Sequence, residues 1–376
     1  MVAQTDRGAE HLTVATEALA DHIFVGAADR DAAAAYPSDA IAALHHTGLL
    51  MAPFPPDLGG AGLVEPESVD TLRDVLRLIG GGDLSIGRLY EGHVNAVALV
   101  ARYGSRKQLS HFADDVRAGA MSGVWNAEGQ TAVTLEQDGG TWSLRGAKIL
   151  ASGAGALARP IVPAARGDAV VMTIPHLVPG ERADLSRWTA QGMRSTATGT
   201  ADLSGLAITP DQVIGDDDDY RLQPAFFGGA WRFCAVQLGA IERLLDLFRQ
   251  DLIARGRSHD PYQRARIAAC ATAAETAALW IAQASRMVAA EQRTTAEILA
   301  YAGLTRGVTE RAGLDVIEHA HRGLGLGSFM RPHAVERVAR DLATYLRQPA
   351  PDGAMADAAA AILNSASPAR NLWREA

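Results

Sequence analysis

The spacing of apolar residues changes twice along this chain, near residues 120 and 215, and those changes limit the folds open to it. From Thr13 to about Ala118 apolar residues recur at helical spacing, as in Ile41, Leu44 and Leu49, then Val75, Leu76 and Ile79. Between Met121 and Ile214 the pattern becomes short runs cut by turn residues: Thr131 to Leu135, Trp142 to Leu144, Ala169 to Ile174 and Ala201 to Leu206, with Gly139-Gly140 between the first two. Such runs read as strands joined by tight turns. From about Gln223 to Tyr345 long Ala-rich helical stretches return, with breaks expected near Arg255-Gly256, at Gly303 and from Gly323 to Gly327. The expectation is an α+β chain with a helical domain over 1–119, a central β-barrel or sandwich over 120–215 and a helical bundle over 216–376.

Local chemistry refines this outline. Ser38 or Asp39 is placed to cap the helix after Pro37, and Pro53 to Gly62, with its prolines and glycines, must be a fixed irregular loop. The run Asp216 to Asp219 has no ligand spacing and reads as a solvated loop, so no metal site is expected. A net charge of −8, with no run of Lys or Arg longer than the pair Arg106-Lys107, gives no footprint for nucleic acid. The polar N-terminus lacks a secretory pattern, and no apolar stretch is expected to reach the ~20 residues that span a bilayer. Cys234 and Cys270, in helical stretches without His or Cys neighbours, read as buried reduced thiols. A cytoplasmic protein that binds neither nucleic acid nor membrane is expected.

Five segments in order carry a resemblance. They are Tyr36-Pro-Ser-Asp with His46-Thr-Gly-Leu-Leu and the Pro55-Pro-Asp-Leu-Gly-Gly-Ala-Gly loop; Asp83-Leu-Ser with His93; Tyr103-Gly-Ser-Arg-Lys-Gln; Trp142-Ser-Leu-Arg-Gly-Ala-Lys-Ile-Leu-Ala-Ser-Gly; and Gly323-Leu-Gly-Leu-Gly followed by Val335-Glu-Arg and Arg340-Asp341. Together they resemble the acyl-CoA dehydrogenase superfamily over almost the whole chain. A dinucleotide-binding turn at Gly323 is rejected because no parallel strand precedes it.

The resemblance implies FAD and a homodimer or homotetramer in which the loop of Gly323, Gly325 and Gly327 approaches a neighbour's cofactor. Val124-Trp-Asn-Ala-Glu128 is similar to the family's flavin-facing strand, which places Trp125, Asn126, Ala127 and Glu128 at the cofactor. Ala127 stands where the family has a threonine, so contacts there would come from the N–H groups of Trp125 to Glu128. Ser152, beside Gly153, falls on the family's flavin-contacting threonine. Arg257 and Gln263 resemble the pair that flanks the FAD pyrophosphate and adenine, where a planar guanidinium suits paired oxygens.

The chain departs from the family at the general base that a dehydrogenase needs to take an α-proton. The stretch after Arg340-Asp341 holds no carboxylate before Asp352, and Trp231 precedes Arg232 at the alternative position. Gly129-Gln-Thr-Ala-Val-Thr also replaces the Gly-Ser-Asp segment that helps hold the thioester. Arg88, Glu91 and Asn95 share a helix face toward the implied substrate cavity, with His93 nearby. Glu91 and His93 are therefore the catalytic candidates, and Arg88, Asn95 and Arg232 the substrate-binding ones. Two readings follow. One is a flavin-dependent oxidoreductase acting on a small molecule or acyl thioester, either a dehydrogenase with another base and an electron-transfer flavoprotein as partner, or a monooxygenase fed by a flavin reductase. The other is a catalytically silent scaffold homologue.

Overall fold

The computed structural model describes residues 2–290, 292–347 and 350–373. The first part is helical: α1 (Val2–Ala33), α2 (Ser38–His46), α3 (Val69–Gly82), α4 (Leu84–Tyr103) and α5 (Arg106–Arg117). Asp83 caps α4, its side chain accepting from the Ser85 N–H at 2.9 Å, and Ser105 with Gln108 forms a capping box on α5. The cap expected at Ser38 or Asp39 does not form: Ser38 is already the first helical residue, and Pro37 precedes it with no side-chain cap.

The central part holds β1 (Thr134–Asp138), β2 (Thr141–Arg145), β3 (Ala147–Ala151), β4 (Val162–Arg166), β5 (Ala169–Thr173), β6 (Ala183–Asp184), β7 (Gly199–Asp202), β8 (Leu206–Ile208) and β9 (Val213–Ile214). They form a six-stranded sheet in the order β8-β2-β1-β4-β5-β9 and a three-stranded sheet in the order β3-β7-β6. The first strand lies three residues later than the Thr131 start expected from sequence, and the Gly139-Gly140 turn joins it to β2.

The last part comprises α6 (Trp231–Ala254), α7 (Pro261–Ala290), α8 (Thr295–Leu324), α9 (Ala334–Tyr345) and α10 (Pro351–Asn364). Gly303 does not break a helix. It lies inside α8 where a Cβ would stand 2.8 Å from the Ala354 carbonyl, so glycine is there to let α10 approach. Contrary to the expectation from sequence, α7 is long and apolar enough to cross a bilayer by length and composition, because its many alanines raise its hydropathy; 28% of its most apolar window is buried within the chain.

Two contacts position the site. Helices α3 and α6 cross at van der Waals distance because Gly80 and Gly239 lack side chains: a Cβ on Gly80 would lie 2.1 Å from the Val236 carbonyl oxygen, and one on Gly239 would lie 1.9 Å from that of Arg77. That close crossing brings the start of α6 beside α4. The second contact is the Arg340-Asp341 pair of α9. Arg340 reaches Asp31 of α1 at 2.8 Å and the Gln191 carbonyl at 2.6 Å, and Asp341 accepts from the Met193 N–H at 2.7 Å. The pair thus ties all three parts to the loop that leads into β7.

Candidate functional site

Along the α4–α6 contact the helix period places Arg88, Glu91 and Asn95 on one face, as expected, and all three are hydrogen-bonded. Glu91, 2% exposed, accepts from Arg88 Nη1 through one carboxylate oxygen and from Asn95 Nδ2 through the other. Asn95 in turn accepts from Arg232 Nη1 at 3.2 Å. Burial disfavours the charge on Arg88, but Glu91 and Tyr345 together more than offset this and raise its pKa. Arg232 is held below its usual value by burial, with only partial support from Glu91. Beside them Tyr345 is kept protonated by burial and by the Glu91 charge.

Asn95, Trp231 and Arg232 also line a cavity of about 520 Å³ whose remaining walls include Leu63, Leu72, Leu99 and Phe226. The Arg232 guanidinium lies 5.4 Å from the Trp231 ring centre, a cation–π distance. Trp231 Nε1 and Arg232 Nε are buried and have no hydrogen-bond partner among the described residues.

His93 does not belong to this group. Its ring is fully buried; Nε2 meets the Leu50 carbonyl at 2.8 Å and Nδ1 accepts from the Ser122 N–H at 3.2 Å. Burial pulls its pKa down to about 4, against the weaker pull of the Leu50 bond. Both nitrogens are used by backbone, so the catalytic role expected for His93 is corrected to a structural one.

A second group lies where the chain enters the β part. Trp125, 2% exposed, donates from Nε1 to the Ser152 carbonyl at 3.0 Å. Its own N–H donates to the Ile161 carbonyl at 3.0 Å, which removes it from the backbone donors expected to face a flavin. The Ala127 carbonyl accepts from Ile149 N–H at 3.0 Å, and Asn126 is exposed. Glu128 is committed to the fold: it pairs with the fully buried Lys148 and accepts from the Val133 N–H at 3.0 Å. The Ser152 hydroxyl is half-buried and meets that of Thr198 at 3.4 Å, which meets that of Thr196 at 2.8 Å. Gly153 follows at φ +69° and donates to the Thr196 carbonyl at 2.8 Å, a turn that only glycine makes without strain. Sequence reasoning missed Thr196 and Thr198. Their alternation with Thr200 was the available signal.

The third group surrounds a shallow hollow of about 320 Å³ lined by Arg257, Asp260, Gln263, Arg266, Arg322 and Gly323, among others. Arg257 Nη1 and Gln263 Nε2 both donate to the Gly323 carbonyl at 3.4 Å, so the structure brings together three residues that the sequence had placed at one site. Gln263 is 3% exposed and its Oε1 has no partner among the described residues. Gly323 is required by packing inside the chain, since a Cβ would stand 2.3 Å from the Phe248 ring. Gly325 has φ +73°, and neither it nor Gly327 has an atom within 4 Å of a Cβ position. Arg266 and Arg322 were missed, although Arg266 stands one helical turn beyond Gln263.

A helical part, a β part of two sheets and a helical bundle, with site residues drawn from all three, define the acyl-CoA dehydrogenase fold as the class of this protein. Comparison with known proteins agrees. The acyl-CoA dehydrogenase N-terminal domain family matches residues 9–120. Dibenzothiophene monooxygenase of Mycolicibacterium goodii is 24% identical over 363 residues, covering 84% of this chain and 85% of that protein. Among solved structures, TdsC from Paenibacillus sp. A11-2 with FMN and indole superposes with a TM-score of 0.81 at 20% identity, over 97% of this chain and all of that one, the latter coverage being 100%. Butyryl-CoA dehydrogenase from Megasphaera elsdenii gives 0.82 at 15% identity, over 95% and 98% of the two chains. The chain has the acyl-CoA dehydrogenase fold, and residues 9–120 match that family's N-terminal domain.

Proposed function

We propose that this protein is a flavin-dependent monooxygenase that receives reduced flavin from a separate reductase and oxygenates a small molecule. The observation that carries this reading is the state of Glu91. It is the carboxylate placed to replace the family base, and both its oxygens are already bonded, to Arg88 and to Asn95. A base held in that way cannot approach an α-proton without breaking two charge-assisted or buried bonds. An oxygenase needs no such base, and the likeness to dibenzothiophene monooxygenase over most of both chains supports the same choice.

The residues present fit a flavin. Arg257, Arg266 and Arg322 face a hollow in which Asp260 pairs with Arg257 and Glu318 with Arg322, and the surplus guanidinium suits a phosphate. A bound reduced flavin supplies two electrons and activates dioxygen. The Ser152 hydroxyl, held by Thr198 and Thr196, would donate to a bound flavin ring, and the buried Trp125 would help keep water from it. FAD is the expectation from sequence. The hollow supports FMN better, because Gln263, one of the pair expected to flank the pyrophosphate and adenine, lies buried beneath Gly323 and gives its amide N–H to it. The glycine loop exposes Leu326, Phe329 and Met330, apolar side chains that a second copy would cover in a homodimer or homotetramer.

Two assays test the reading. Given reduced flavin, ¹⁸O₂ and a panel of heteroaromatic compounds, the protein is expected to place one labelled oxygen in product. Straight-chain acyl-CoA thioesters are expected to leave oxidised flavin unbleached. Rapid bleaching by a thioester would make the protein a dehydrogenase, with an electron-transfer flavoprotein as acceptor.

A further inference from the structure

We infer that the ligand of the cavity between α4 and α6 carries a carboxylate on an apolar, ring-sized body, and that Trp231 and Arg232 receive the carboxylate. That this ligand is the substrate rests on the function proposed above; its chemistry does not.

The cavity has two characters. Leu63, Leu72, Leu99, Phe226 and Val288 make most of its wall apolar, and its volume of about 520 Å³ suits a body of two or three rings. One end is different. There the single carboxylate of Glu91 stands among two guanidiniums, Arg88 and Arg232, and its oxygens go to Arg88 and Asn95. Arg232 touches only the Asn95 amide oxygen among its described hydrogen bonds, so this end carries one unbalanced positive charge away from bulk water. Buried charge is retained in proteins where a counter-charge meets it.

The geometry of the donors agrees. Trp231 is 2% exposed and lines the cavity, yet its Nε1 has no partner among the described residues, and neither has Arg232 Nε. Buried donors are nearly always paired, so two at one cavity end point to an acceptor brought by a ligand. They lie in the first turn of α6, whose 24 residues add a positive helix terminus at the same end. The guanidinium is built into place: a Cβ on Gly229 would stand 2.1 Å from Arg232 Nη1. A wholly apolar heterocycle would fill the walls and leave both donors unmet.

Equilibrium binding to the flavin-loaded protein, without turnover, tests this. Indole and indole-3-carboxylate share one ring system and differ by the carboxylate. The carboxylate is expected to bind about tenfold or more tightly, as a charge-assisted hydrogen bond warrants. Arg232→Gln is expected to bring the ratio near one with indole affinity unchanged, and Trp231→Phe, which keeps an aromatic ring and removes the N–H, is expected to lower it about threefold or more. The second variant carries the test should the first fail to fold. Equal affinity for the two probes, a ratio that survives both substitutions, or no binding of either probe would overturn the inference. A carboxylate preference that holds while ¹⁸O₂ gives no labelled product would remove the monooxygenase reading and leave the ligand class standing.

Discussion

Arg232 donates to the Asn95 amide oxygen at 3.2 Å across 137 residues of sequence, and this bond joins the first helical part to the last at the wall of the cavity between α4 and α6. Through Asn95 it continues to Glu91 and Arg88, so one buried chain of polar groups sets the charge of that cavity.

Glu91 is the member of that chain whose loss should be felt most in stability. In Glu91→Gln both guanidiniums lose their shared carboxylate, and breaking a buried pair in this way costs about 3–5 kcal/mol. Urea unfolding is expected to show an extrapolated unfolding free energy lowered by that amount. A variant as stable as the parent but unable to turn over would restore Glu91 as a base.

His93 predicts a pH dependence. In the unfolded chain imidazole takes a proton near pH 6.5, whereas in the folded chain burial delays this to about 4. Between those values the unfolded state binds more protons, so stability falls as pH is lowered from 6.5 toward 4, by about 3 kcal/mol from this group. His93→Gln should flatten denaturation midpoints over that window. An unchanged slope would show that the ring is protonated when folded.

The glycine loop separates folding from cofactor binding. Gly325 adopts φ +73° and ψ −160°, a conformation open essentially to glycine, and a Cβ there meets no atom. Gly325→Ala should therefore cost about 1–3 kcal/mol in the flavin-free protein through backbone strain alone. Gly327 has neither a positive φ nor a neighbour within 4 Å. Gly327→Ala should leave the melting temperature of the flavin-free protein unchanged, while weakening flavin retention if the loop reaches a neighbour's cofactor. Unaltered retention would remove the loop from the flavin site.

The arginine hollow can be tested by charge removal. Arg266→Gln and Arg322→Gln are each expected to weaken flavin binding about tenfold or more, since each removes a hydrogen bond to a charged acceptor. Equilibrium titration with FMN and with FAD reads both the loss and the preferred nucleotide. Wild-type affinity in both variants would place the phosphate elsewhere.

The order of helical, β and helical parts was legible in the sequence because it is written in local periodicity, and the alignment of Arg88, Glu91 and Asn95 followed from the helix repeat alone. Arg257, Gln263 and Gly323 were also named together, though through resemblance and not through spacing. What the sequence could not decide was the use of each group. His93 and Glu91 are two residues apart, and no local rule says that one turns into the Leu50 and Ser122 backbone while the other faces Arg88. Gly303 looked like a helix break and is a packing contact, because whether a glycine ends a helix or admits a neighbour depends on what lies opposite. The relay from Ser152 to Thr198 and Thr196 and the pairing of Arg232 with Asn95 arise between distant segments. Periodicity fixes which face a residue is on; only the packing of one element on another fixes what that face meets.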